Sequence, residues 1–165
     1  MNNIPIKIQR NLYYDKRGAF SELYRASESE HNFVQDNLSI SRKNFLRAIH
    51  HQKTSTQGKL VTVISGSIQH IVVDVDPNSE HYGKHYEYNV KAGEAIWCPP
   101  NYLHGFLSLE DTILLYKCTD YYDPTGEVTV NAFDEKLNLP WRLTREEVIM
   151  SDKDSDGISF DEVLK

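Results

Sequence analysis

What most constrains this chain is the rhythm of its apolar residues. Runs rich in Val, Ile and Leu recur along most of the sequence, cut by turn residues, with hardly any stretch of helical period. IPIKIQ (4–9) alternates apolar and polar positions, as a half-buried strand does. KLVTVISG (59–66) and SIQHIVVDVD (67–76) meet at Ser65-Gly66-Ser67, a hairpin-type junction. Further strand-like runs are YEYNV (86–90), EAIWC (94–98), LHGFLSL (103–109), TILLYKCT (112–119) and EVTVNAF (127–133). Turn residues separate them at Asp76-Pro77-Asn78, Lys91-Ala92-Gly93, Pro99-Pro100-Asn101 and Asp123-Pro124. Only SESEH (27–31), the TREEVIM region (144–150) and FDEVLK (160–165) read as helical, and each is short. The expectation is one all-β domain spanning 1–165, a mostly antiparallel sandwich or barrel with a few short peripheral helices.

Charge narrows the partners. Eighteen Lys+Arg against twenty-four Asp+Glu leave a formal charge of −6, and no stretch is rich in basic residues, which argues against nucleic acid. A small anionic ligand needs only a few placed cations and stays open. No apolar run approaches the ~18 residues of a membrane span, and MNNIPIKIQR (1–10) lacks the apolar core of a signal peptide. The expectation is a soluble, cytoplasmic protein. Cys98 and Cys118 sit in apolar strand text without CxxC spacing and read as inert buried thiols.

Polar functional residues interrupt the strand text in clusters. FVQDNLSIS (33–41) is followed by FLRAIHHQ (45–52). On an extended strand Arg47 and His50 point to opposite faces, whereas His50 and Gln52 share one, so a bend is needed before Arg47 and His50 can meet the same ligand. Lys59 heads a strongly apolar strand, His104 precedes Gly105-Phe106, and Tyr116-Lys117 opens a stretch reaching Tyr121-Tyr122. Taken singly, each fits a structural residue: a hydrogen-bonded histidine, a snorkelling lysine, a packed tyrosine.

In this order they resemble the dTDP-4-dehydrorhamnose 3,5-epimerases of nucleotide-sugar metabolism. The resemblance runs from Asp15 to Asp161. It rests on D-x-R-G-x-F-x-E (Asp15 to Glu22), F-V-Q-D-N-x-S-x-S (Phe33 to Ser41), L-R-x-x-H-x-Q (Leu46 to Gln52) and K-L-V (Lys59 to Val61). It continues through V-D-x-x-x-x-S-x-x-Y-G (Val73 to Gly83), H-G-F (His104 to Phe106), Y-K-x-T-x-Y-Y-x-P (Tyr116 to Pro124) and S-x-K-D (Ser151 to Asp154). It implies a jelly roll of the cupin class and a homodimer whose N-terminal strands reach the neighbouring subunit.

The implied reaction inverts stereocentres beside a ketone. It needs a base near neutral pKa, a cation at the developing oxyanion and an acid across the ring, but no metal or redox cofactor. By the resemblance His50 is the base, Asp154 the carboxylate that orients it, Lys59 the cation and Tyr116 the acid. A histidine's reference pKa of about 6.5 and a tyrosine's of about 10 suit those roles. Likewise Arg17, Arg47, His104 and Lys153 match positions that grip diphosphate or sugar, a guanidinium fitting phosphate oxygens well. Tyr122 matches a ring that stacks on thymine; Phe20, Glu22, Gln35, Asn37 and Glu127 complete the contacts. Arg17, Phe20 and Glu22 are expected to act across the dimer interface. The implied substrate is dTDP-4-dehydro-6-deoxy-D-glucose, on the route to dTDP-L-rhamnose.

The chain departs from that pattern in places. Ala48 stands where the family has Gly, His51 where it has an aromatic residue, and Asn101-Tyr102-Leu103 replaces a Gly-aromatic-Ala stretch. These changes leave open the sugar, and whether C3 alone or both C3 and C5 invert. Gly93-x5-Pro99-x4-His104 resembles the second metal motif of cupins, which would suit a metal-dependent oxygenase or isomerase. The first motif is missing: Lys59 stands at its Glu position with no His-x-His before it, and an ammonium does not coordinate. Asp152-x-Asp154-x-Asp156-Gly157 imitates the start of an EF-hand loop, but its twelfth position is Val163. A non-catalytic sugar-nucleotide-binding jelly roll would dispense with the base or acid, and both are present. His31, His51, His70, His81 and His85 read as surface or strand residues.

Overall fold

The computed structural model describes residues 4–163. Twelve strands are found among them: β1 (Ile6–Gln9), β2 (Tyr13–Asp15), β3 (Gly18–Phe20), β4 (Gln35–Ser41), β5 (Leu46–Gln52), β6 (Lys59–Ser65), β7 (Ser67–Asp74), β8 (His85–Lys91), β9 (Glu94–Cys98), β10 (Tyr102–Ser108), β11 (Thr112–Cys118) and β12 (Glu127–Thr129). They form two five-stranded antiparallel sheets, ordered β1-β9-β6-β11-β4 and β12-β5-β10-β7-β8, and a separate β2–β3 hairpin. This is the mostly antiparallel all-β architecture expected from the strand rhythm, and the jelly roll that the resemblance implies.

Alternation along the strands builds the layers. Val61, Val63, Ile68, Val72, Ile96, Phe106 and Leu114 fill the space between the sheets. The outward residues Ile71, Val73, Leu103 and Leu107 are buried too, because the C-terminal segment lays Val130, Ala132, Leu137, Val148 and Phe160 over them. Leu60, Ala95 and Trp97 on the outside of the first sheet are covered by Ile8, Tyr24 and Phe33. Burial on both faces explains why Ile71, Val72 and Val73 on β7 and Ala95, Ile96 and Trp97 on β9 follow one another without polar alternation. At the β6–β7 hairpin Gly66 takes φ +81°, and a Cβ there would lie 2.3 Å from the Asp111 carbonyl oxygen.

Helix is scarcer than the sequence suggests. SESEH gives one 3-10 turn at Ala26–Glu28 and FDEVLK another at Phe160–Glu162, its last two residues lying outside the described ones. TREEVIM forms turns: Val148 is drawn into the core and Ile149 bridges to Phe45. A four-residue helix, α1 (Asp152–Ser155), forms where Ser151 Oγ accepts from the Asp154 amide.

Candidate active site

The site lies at one end of the space between the sheets, where inward polar residues replace the apolar filling. A cavity of about 530 Å³ opens there, and both sheets and α1 contribute to its walls. From β4, β6 and β11 come Gln35, Asn37, Lys59 and Tyr116; from β5, β7, β10 and β12 come Arg47, His50, His70, His104 and Glu127. Tyr122, Lys153 and Asp154 complete it.

The bend demanded by Arg47 and His50 is a β-bulge. On β10, His104 pairs with His50 but Phe106 pairs with Arg47, so β5 carries one extra residue. Ala48 and Ile49 both turn into the outer core, which leaves Arg47 and His50 facing the cavity together. The strands approach so closely here that a Cβ on Gly105 would lie 2.5 Å from that of Ala48. The alanine in the glycine-patterned position is therefore accommodated by the glycine across from it.

Two hydrogen-bonded pairs organise the chemistry. His50 Nε2 lies 2.7 Å from Asp154 Oδ1. A carboxylate only accepts, so Nε2 carries the proton and Nδ1 is left as the basic nitrogen. Lys59 Nζ lies 2.8 Å from His104 Nε2. Burial pushes the Lys59 ammonium below its ordinary range and pushes His104 well below its own, so His104 is neutral and accepts from Lys59. Burial raises the Tyr116 phenol, keeping its proton on. Burial also raises Glu127, but hydrogen bonds from Lys153 and from Tyr122 Oη, the latter at 2.6 Å, outweigh it and hold the carboxyl below the usual range. Arg47 donates to Ser41 Oγ at 2.9 Å and to the Ile40 carbonyl at 3.3 Å.

Eleven of the fourteen candidate residues line this one cavity. Arg17, Phe20 and Glu22 do not. Arg17 and Phe20 belong to the exposed β2–β3 hairpin, Phe20 being 68% accessible; Arg17 pairs with Asp15, and Glu22 with Arg25. The sequence reading missed Gln57 and His70, which also line the cavity. His70 is fully buried and faces inward from β7, in a run whose β-branched neighbours made it look like ordinary strand text. Cys98 and Cys118 are free and buried, as expected, and burial pushes the Cys98 thiol up to about 12.

A family model described as dTDP-4-dehydrorhamnose 3,5-epimerase matches residues 5–162. The epimerase of that name from Escherichia coli K12 is 34% identical, over 96% of this chain and 90% of its own length. A dTDP-6-deoxy-D-glucose-3,5-epimerase from Legionella pneumophila, solved with dTDP-4-keto-L-rhamnose, superposes with a TM-score of 0.91 at 33% identity, over 96% of this chain and 89% of that one. A 3'-monoepimerase from Streptomyces bikiniensis, solved with dTDP-quinovose, gives a TM-score of 0.86 at 27% identity, over 94% and 83% of the two chains. Matched over nearly its whole length in both sequence and fold, this chain belongs to the dTDP-4-dehydrorhamnose 3,5-epimerase family.

Proposed function

We propose that the chain, as a single epimerase domain, inverts C3 and C5 of dTDP-4-dehydro-6-deoxy-D-glucose. The observation that carries this reading is the position of base and acid on opposing walls. His50 projects from one sheet and Tyr116 from the other into the same cavity. A sugar ring held between them meets a base on one face and a proton donor on the opposite face, as inversion requires.

In this mechanism His50 Nδ1 takes the proton from the carbon beside the C4 ketone, and the C–H electrons move into the carbonyl as an enolate. The Lys59 ammonium, held by His104, stabilises that oxyanion. Asp154 stabilises the imidazolium. Tyr116 then gives its proton to the other face, and His50 and Tyr116 exchange protons with solvent before the second centre reacts. Oxidation state does not change, so no redox cofactor is needed. Arg47 and Lys153 bind the diphosphate, with Gln35, Asn37 and Glu127 beside them, and Tyr122 stacks on the thymine.

The functional unit in this reading is a homodimer in which Arg17, Phe20 and Glu22 complete the partner's site. Two features support it. The hairpin carrying Arg17 and Phe20 stands apart from its own cavity, and the edge strand β4 exposes Leu38 and Ile40 at 63% and 66%.

Incubation with dTDP-4-keto-6-deoxyglucose in D2O, followed by NMR, tests the reading. Deuterium incorporation with inversion at C3 and C5 is expected. Inversion at C3 alone would favour the narrower activity of the Streptomyces bikiniensis monoepimerase, and absence of exchange at both carbons would refute the proposal.

A further inference from the structure

Behind the Lys59–His104 pair lies a cluster of which the proposed reaction uses only His104. One ring nitrogen each from His70 and His104 and the Sγ of Cys98 lie within 4.8 Å of one another. The register explains the convergence. On β7 and β10, Phe106 pairs with His70 and His104 with Val72, so the two imidazoles are diagonal neighbours on the inner face of one sheet. Cys98 sits directly across from them on β9, paired with Lys59. Both ring nitrogens of His70 and Nδ1 of His104 are buried without a protein partner. Buried nitrogens in that state require something to bond.

We propose that His70, Cys98 and His104 form a binding site for a soft divalent cation of the zinc class, and that occupancy switches the epimerase off. Two imidazoles and one thiolate suit zinc or cobalt, and neither imidazole has to be stripped from another protein partner except at the Lys59 contact. Tetrahedral bonds of about 2.0–2.3 Å place such donors roughly 3.3–3.6 Å apart, so they must close by at most roughly 1.5 Å. His70 and His104 line the cavity, which supplies the entry path. On binding, the thiol releases its proton to solvent and a water fills the fourth position.

Inhibition follows from the hydrogen bond that the ion disrupts, and it rests on the role proposed above for Lys59. If His104 ligates through Nε2, it can no longer accept from Lys59. If it ligates through Nδ1, Nε2 must carry the proton, and an N–H cannot face an ammonium. By either nitrogen His104 no longer accepts from Lys59, so the ammonium loses the contact that holds it at the oxyanion. The ligand set also differs from the cupin pattern, in which only His104 has a counterpart.

The test uses the full chain, first stripped of metal by a chelator. Cobalt(II) titration should give one tetrahedral site per chain with a thiolate-to-cobalt charge-transfer band, and calorimetry should give one zinc per chain. Turnover should fall in proportion to zinc occupancy and return with chelator. Cys98→Ala should keep its metal-free turnover, lose the charge-transfer band and weaken zinc binding by at least the ~10–100-fold that losing a mere supporting partner costs. Should Cys98→Ala fold poorly, His70→Leu must weaken zinc binding comparably. No metal uptake, as for a cluster that holds only water, or uptake indifferent to both substitutions, overturns the site. Full turnover at saturating zinc overturns the switch. Because cobalt binding is read without substrate, a chain inactive on the dTDP-sugar would sink the catalytic reading and still leave the metal site to be judged.

Discussion

The sharpest perturbation is Asp154→Asn, which removes one charge and keeps the shape. In the wild type the carboxylate oxygen is 2.7 Å from His50 Nε2 and its side chain is 7% accessible, against 22% for His50. The charge earns its effect when His50 takes a proton and becomes an imidazolium. A unit pair with centres about 4 Å apart is worth about 4 kcal/mol at an effective dielectric of about 20. Partial solvent access to His50 trims this to roughly 2–3 kcal/mol, or about 30–150-fold in kcat. A second effect can add to it. Asparagine can present its NH2 to Nε2, which moves the ring proton to Nδ1 and occupies the basic nitrogen; in comparable dyads the wrong tautomer costs about 10⁴-fold. The expected range therefore runs from about 30-fold upward in kcat, with KM within about threefold, because the pair acts on the proton and not on the nucleotide. Steady-state kinetics with solvent-deuterium exchange at C3 measures it. A kcat within about threefold of wild type, or a loss confined to KM, would refute the coupling of Asp154 to the base.

Four further outcomes follow from the geometry. Lys59→Met keeps the stem and drops the ammonium; kcat should fall about 10²–10³-fold, the scale of a lost oxyanion contact, as read by initial rates. Tyr116→Phe should still exchange the substrate proton with solvent but fail to invert the centre, which NMR of the recovered sugar distinguishes. Gly58→Ala would put a Cβ 2.2 Å from Cη2 of the packed Trp97 ring; overpacking of about 1–3 kcal/mol should lower Tm by roughly 2–12 °C in calorimetry. Burial raises the Glu94 carboxyl, but the Lys7 ammonium at 2.7 Å and the Lys91 amide at 3.0 Å pull it below the usual range. A carboxyl lowered on folding stabilises the fold above its unfolded pKa and loses that contribution as pH falls through its folded value. Glu94→Gln should therefore cost stability at neutral pH and flatten the acid limb of a denaturation profile.

How much of this was legible follows from what each residue faces. The apolar runs announced their strands because both faces of β7 are covered: Ile68 and Val72 point into the space between the sheets, Ile71 and Val73 into the outer core. The stretch 33–41 reads as a polar cluster, yet Gln35–Ser41 within it is β4, and it is an inside-out strand. Gln35, Asn37, Ser39 and Ser41 point in toward the cavity, while Leu38 and Ile40 point out and are exposed. Binary patterning assumes an apolar interior, so it inverts at a strand whose inner face is a binding wall. The Arg47–His50 conflict was visible as a parity clash, but the sequence could not say that a bulge opposite Gly105 resolves it. TREEVIM carries helical residues that lose to tertiary pairing: Ile149 gains a bridge to Phe45, and Val148 a place in the core.

Asp154 shows a different limit. It lies 104 residues from His50, and no local periodicity reports a contact at that separation; only the ordered motifs of the family singled it out. The structure supplies the physical reason. The C-terminal segment covers the outer face of the second sheet with Val130, Val148 and Phe160, and α1 forms within that wrap, capped by Ser151. The packing that buries the outer face therefore also delivers the carboxylate to the rim of the inner one. The base and its partner come from layers that meet only when the wrap is docked, so loosening the wrap should impair the dyad before it unfolds the sheets. That ordering is the fold-level counterpart of the Asp154→Asn experiment: one severs the pair by chemistry, the other by position, and both act on the same proton.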